Sequence, residues 1–181
     1  ALEIENPGYE LIYPGAIDQT LYSFGDGYTI EGTGGYGIYV TGENVTVQNC
    51  NLEVGGNNGI VYDSVSDGTI TNNDITMNGG AGYGMHLASA LNSVITDNNI
   101  TTNGSNAFGM SLSSSSNSVI KDNNITTTGS SGYGIFIHSS SNLTITENNI
   151  TSNYSTIKIE DISENNAFLN NRLTSTTSYL I

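Results

Sequence analysis

Gly84, Gly109 and Gly134 stand 25 residues apart, and each follows an aromatic residue: Tyr83, Phe108 and Tyr133. Tyr36-Gly37 is an earlier copy, and Gly59 fills the slot between. A short alternating run follows the glycine, as in Gly37-Ile38-Tyr39-Val40, Gly84-Met85-His86-Leu87, Gly109-Met110-Ser111-Leu112 and Gly134-Ile135-Phe136-Ile137. A polar turn comes next, such as Ser113 to Asn117 or Ser139 to Asn142, and then a second alternating run, Leu143-Thr144-Ile145-Thr146. Asn-Asn-Ile-Thr closes the unit at 98–101, 123–126 and 148–151, with Asn73-Asp74-Ile75-Thr76 one period earlier. Self-similarity at a fixed period of this length marks a stacked-repeat architecture.

Each unit of 22–25 residues holds three short segments of period 2 separated by turns. Period 2 means strand, because side chains alternate across a sheet. No segment carries a 3.6-residue apolar stripe long enough for a helix. Three short strands per unit describe one rung of an all-β solenoid, a parallel β-helix. Rungs stack ~4.8 Å apart, so about six of them make a rod of roughly 30 Å. Residues 1–35, with Pro7 and Pro14, are expected to form an N-terminal cap and a first irregular rung, and residues 36–181 the repeats.

Parity predicts the core. The first strands turn Ile38, Val40, Ile60, Met85, Leu87, Met110, Leu112, Ile135 and Ile137 inward. The second strands contribute Val47, Ile70, Ile95, Ile120 and Ile145, and the third Leu52, Ile75, Ile100, Ile125 and Ile150. Each set is a column of like residues that no single rung can bury alone. Asn73, Asn98, Asn123 and Asn148 share one corner slot. Asn tolerates left-handed backbone, and amides stacked at this spacing can form a hydrogen-bonded ladder. Cys50 occupies the slot in the first clear rung. It reads as a small buried thiol or as an intermolecular disulfide at the rod's end.

The Gly-Ile-x-Ile, Ser-Asn-x-Thr-Ile and Asn-Asn-Ile-Thr elements resemble the repeats of the pectin-lyase-like superfamily over about Tyr36 to Thr174. They are most similar to NosD-like domains and to the repeats of surface proteins of methanogenic archaea. The resemblance implies a right-handed, single-stranded parallel β-helix. It leaves function open, because that superfamily includes enzymes, binding modules and structural proteins. Its lyases use a carboxylate-held Ca²⁺ with an Arg or Lys base over the first sheet. Its hydrolases use an Asp cluster with Gly-His-Gly and Arg-x-Lys. Here the basic residues are Lys121, Lys158 and Arg172, and neither an Asp-Asp pair nor Gly-His-Gly occurs. On the first sheet's outward face only Asp63 and Glu160 offer carboxylates, several rungs apart, whereas glycoside hydrolysis needs a pair at ~5–9 Å. A non-enzymatic protein is expected.

The charge balance narrows the partners. The chain has 3 basic and 17 acidic residues and a formal net charge of −14. Phosphate binding needs clustered Lys and Arg, so nucleic acid is excluded as a partner. No apolar run reaches the ~20 residues of a spanning helix. The start at Ala1, without Met or leader, fits a mature secreted protein or a fragment.

The outward face of the first sheet carries Tyr39, Val61, His86, Ser111, Phe136 and Lys158 in one column and Asp63, Ala88, Ser113, His138 and Glu160 in the next. Exposed aromatics stack on sugar rings or pack against a partner. Tyr39, His86, Phe136 and His138 are therefore the candidate sugar or partner face. Asp97, Asp122 and Glu147 stack one per rung beside the Asn corner. They are solvated and splayed, shifted upward in pKa, or bridged by a cation such as Ca²⁺, the one cofactor considered. Seven Asn-x-Ser/Thr sequons fall at Asn44, Asn99, Asn103, Asn124, Asn142, Asn149 and Asn153. They suggest a glycoprotein, although a corner Asn followed by inward Ile and outward Thr creates the motif by itself. Asn44 and Asn153 are the less crowded sites. The third sheet's outward Thr76, Thr101, Thr126 and Thr151 raise ice binding, but Thr is simply a good exposed strand residue.

Solenoids need caps, because a bare last rung invites pairing. Ser178-Tyr179-Leu180-Ile181 reopens the first-strand phase. The expected function is an extracellular, cell-surface structural protein: a surface-layer, sheath or filament subunit that pairs with copies of itself through β-helix edges. The alternative is a carbohydrate-binding module of a larger surface protein, with a surface polysaccharide as partner.

Overall fold

The structure, a computed structural model, describes residues 35–176 and, as backbone strands, Leu11–Tyr13, Thr20–Tyr22 and Thr29–Gly32. The expected cap in 1–35 beyond those strands, and the reopened strand at Ser178–Ile181, lie outside the described residues. Three parallel seven-stranded sheets wrap one core. Sheet one stacks Leu11–Tyr13, Tyr36–Val40, Asn58–Asp63, Ala81–Ala88, Asn106–Ser113, Tyr133–His138 and Ser155–Glu160. Sheet two stacks Thr20–Tyr22, Thr46–Gln48, Thr69–Thr71, Val94–Thr96, Val119–Lys121, Thr144–Thr146 and Ala167–Leu169. Sheet three stacks Thr29–Gly32, Asn51–Val54, Asp74–Met77, Asn99–Thr102, Asn124–Thr127, Asn149–Ser152 and Arg172–Ser175. Six rungs thus start at Tyr36, and the three early strands pair in register with the first of them. Among the described residues no helix is long and apolar enough to cross a membrane.

The expected core columns are buried without exception, from Ile38 to Ile150. The register pairs like with like: Ile75, Ile100 and Ile125 lie side by side on successive strands, as do Ile70, Ile95 and Ile120. Parity also turns in a second residue of each third strand: Val54, Met77, Thr102, Thr127 and Ser152. Thr127 Oγ1 is buried with no hydrogen-bond partner. Tyr62, on the third strand of sheet one, is fully buried in the core. Its hydroxyl lies 2.8 Å from both the Val45 and the Thr69 carbonyl. Burial pushes its phenol pKa up.

Among the described residues, left-handed residues form three columns, two of six residues and one of five. Ser64, Ser89, Ser114, Ser139 and Asp161 end the first strands with φ of 50–59°. Asn44, Asp67, Asn92, Asn117, Asn142 and Asn165 precede the second strands with φ of 54–58°. The third column corrects the expectation. The left-handed residue is not the corner Asn but the one before it: Asn49, Asn72, Asp97, Asp122, Glu147 and Asn170, with φ of 54–58°. The turn aims the following Asn into the core. There Asn73, Asn98, Asn123 and Asn148 are buried and form the expected ladder. Each side-chain amide donates to the next rung's Oδ1 at 2.9–3.0 Å, from Asn73 up to Asn171. The same Oδ1 accepts the backbone N–H of the rung below. Asn98, Asn123 and Asn148 also donate to the Ile70, Ile95 and Ile120 carbonyls. The ladder satisfies, rung by rung, the polar groups a tight buried corner would strand.

Candidate functional site

The outward face of sheet one is built around a bend. In the strand Tyr36–Val40 both Gly37 and Ile38 are buried, and Tyr36 and Tyr39 flank them. Gly84 and Gly109 sit at the same bend. A Cβ at Gly84 would lie 2.4 Å from Ile100 Cγ2 and 2.6 Å from the Gly109 carbonyl, and one at Gly109 would lie 2.3 Å from Ile125 Cγ2. Only a glycine lets sheet three pack that close. Two successive inward residues break the alternation, so the aromatic before each glycine emerges on the outer face.

Tyr83, Phe108 and Tyr133 therefore form a file, in register across three rungs with centroid spacings of 5.5 and 4.9 Å. Neighbouring rings extend it. His86 lies 4.7 Å from Tyr83, Phe136 lies 5.6 Å from Phe108 and 5.8 Å from Tyr133, and Tyr154 lies 5.4 Å from Tyr133. His138 stacks on Phe136 at 6.1 Å and 25°. All are half-buried, so each ring rests on its neighbours and shows a face to solvent. Burial lowers the His86 pKa, with Asp63 opposing, and raises that of Tyr133.

Of the four residues expected on this face, the structure gathers His86, Phe136 and His138 into one belt. Tyr39 stands two rungs away. It pairs with Tyr36 at 4.9 Å and donates its hydroxyl to Asp63 Oδ2. Two neighbours of the expected columns are corrected. Val61 and Ser111 are 3% and 1% exposed, because ring-bearing rungs cover them. Tyr83, Phe108 and Tyr133 were visible in the sequence as aromatics before glycine. Strict alternation from Met85, Met110 and Ile135 would turn them inward, so only the bend reveals the belt.

The belt ends in charged groups. At one end Asp63 accepts from Tyr39 and, at 3.1 Å, from Ser64. At the other, Lys158 Nζ meets Glu160 Oε1 at 3.5 Å and His138 Nδ1 meets Asp161 Oδ2 at 3.1 Å. Ala88 and Ser113 lie between and leave the middle low and uncharged.

The other candidate sites come out differently. Asp97, Asp122 and Glu147 splay outward from left-handed backbone. Thr96 donates to Asp97 at 2.8 Å, and Lys121 pairs with Asp122 at 3.4 Å and Glu147 at 3.1 Å. Hydrogen bonds to those two carboxylates raise the Lys121 pKa. Among the described residues no group of three or more His, Cys, Asp or Glu side chains is placed to hold a metal ion. Lys121 thus bridges two of the three carboxylates, Asp122 and Glu147.

Cys50 is 2% exposed, its Sγ lies 3.4 Å from the Gln48 carbonyl, and Thr29–Gly32 stacks beneath its rung. It is a buried thiol with a strand of an earlier rung stacked next to its own.

The sequon residues form a second, outer ladder. Asn99 donates to Asp74, Asn124 to Asn99 and Asn149 to Asn124, at 2.8–3.0 Å. Asn103 donates to Asn78, Asn142 to Asn117 and Asn153 to the Thr128 carbonyl. Asn44 sits in a left-handed turn. Between the outer files, Thr76, Thr101, Thr126, Thr151 and Thr174 stand in register.

Residues 23–173 match the family model described as a right handed beta helix region, so the chain belongs to that family. No curated protein matches the chain significantly. Among solved structures, the Dettilon tailspike protein (gp208) is similar at 15% identity and a TM-score of 0.46, over 84% of this chain and 39% of that one. The chain thus spans well under half the length of that structure.

Proposed function

We propose that the chain is a non-catalytic carbohydrate-binding β-helix module of an extracellular, cell-surface protein, and that the sheet-one belt is its sugar platform. One observation carries this reading: Tyr83, Phe108, Tyr133, Phe136 and Tyr154 form a continuous run of half-buried rings on one outward face. A ring that is held by its neighbours but open on one side offers apolar area to a sugar without an ordering cost. The absence of catalysis is supported by spacing. Asp63 and Glu160 stand four rungs apart, roughly 19 Å at ~4.8 Å per rung, well beyond a glycosidase pair.

Binding to an array of glycans tests the reading. Phe136→Ala should weaken the best ligand about tenfold, since one stacked ring contributes on the order of 1 kcal/mol. Unchanged binding in Phe136→Ala and in Tyr133→Ala would remove the platform.

A second reading is self-association into a sheath, surface layer or filament through pairing of β-helix edges. A sedimentation profile that stays monomeric at high protein concentration would count against it.

A further inference from the structure

We infer that the ligand of the sheet-one face is an uncharged glycan and that acidic polysaccharides are turned away, an inference that rests on the platform reading above. Three carboxylates border the belt: Asp63 at one end, Glu160 and Asp161 at the other. Lys158 on that face is already engaged by Glu160, and His138 Nδ1 lies 3.1 Å from Asp161 Oδ2. The chain's other basic residues stand on different sheets, Lys121 beside the acidic file of sheet two and Arg172 at the start of a sheet-three strand. A uronate or sulfate group landing on the rings would have to displace Glu160 from Lys158 or Asp161 from His138. It would do so in the field of a chain with net charge −14. That field reaches about 10 Å at 0.1 M salt and lowers the on-rate of any polyanion.

A neutral sugar meets none of this. The floor at Ala88 and Ser113 is small and uncharged, and Ser111 Oγ and Ser113 Oγ lie 3.5 Å apart. Carboxylates at the ends accept hydrogen bonds from sugar hydroxyls. The same Asp63, Glu160 and Asp161 therefore support a neutral glycan and repel an acidic one. Selection of this kind works by building in the repulsive element as well as the attractive one.

The experiment compares neutral glucan, xylan and mannan oligomers with a polyuronide, polygalacturonate, by calorimetry at low and high ionic strength. A neutral oligomer should bind with an affinity that salt changes by less than about twofold. Polygalacturonate should not bind the wild-type chain at low ionic strength. It should gain measurable binding in the double variant Glu160→Gln/Asp161→Asn, which releases Lys158 and His138. Tight polygalacturonate binding to the wild type at low ionic strength, lost in Phe136→Ala, would overturn the charge selection and leave the platform standing. Failure of every neutral and acidic glycan to bind a folded chain would overturn the platform and this inference together.

Discussion

Two amide ladders run up this rod on neighbouring residues. The inner one, Asn98 to Asn123 to Asn148, donates each amide toward the C-terminal rung, and the outer one, Asn99 to Asn124 to Asn149, donates toward the N-terminal rung, at 2.8–3.0 Å in both. They differ in what lies behind them. Inner amides are buried, and their oxygens accept a backbone N–H as well as a side-chain N–H. Outer amides are exposed or half-buried and bond only along the file. A buried polar group that loses its partner keeps the full desolvation cost, whereas an exposed one turns to water. The inner ladder is therefore a condition of the fold, and the outer one an ornament with a small gain. That contrast also explains why sequons appear here: the outer file needs Asn, the core needs Ile, and the exposed strand favours Thr.

The contrast breaks most visibly at Asn123. Asn123→Ala strands the Asn98 N–H and the Ile95 carbonyl, and should cost about 3–4 kcal/mol, the sum of two or three buried unpaired groups. A urea titration reads this as a large drop in midpoint. Next comes Thr127, whose buried hydroxyl has no partner. Thr127→Val keeps the shape and removes the unpaired group, so it should stabilise by about 1 kcal/mol. Val54 and Met77 already occupy the equivalent position on lower rungs. A fall in midpoint would mean that the hydroxyl is bonded after all. Asn124→Ala, one residue from the most damaging site, should cost no more than about 0.5 kcal/mol. Equal losses at Asn123 and Asn124 would erase the distinction between the ladders.

The smallest effect is one of pH. The lowered His86 pKa means that the folded chain holds His86 neutral where the unfolded chain protonates it. Its contribution is present above the unfolded value near 6.5 and is lost as pH falls through the lower folded value. Acidification should therefore depress the melting temperature more in wild type than in His86→Gln. Parallel curves would remove burial of His86 against Tyr83 as the cause.

Much of this was legible in the residues. The spacing of Gly84, Gly109 and Gly134 fixes the rung, and the Ile columns fix the core, because like residues must stack for any rung to be buried. Phe136, His86 and His138 could be placed outward by parity alone. The roles of Tyr83, Phe108 and Tyr133 could not. Their outward turn depends on a bend at glycines whose necessity comes from Ile100, Ile125 and Ile150 across the core and from carbonyls one rung away.

The repeat at 25 residues thus determined the solenoid, its three sheets and its amide corner, since period and alternation are properties of a strand's own sequence. Only the tertiary structure decided which aromatics meet and which residue takes the left-handed turn. Those are set by close approach between rungs and between sheets, where a missing Cβ or one positive φ shifts every side chain that follows.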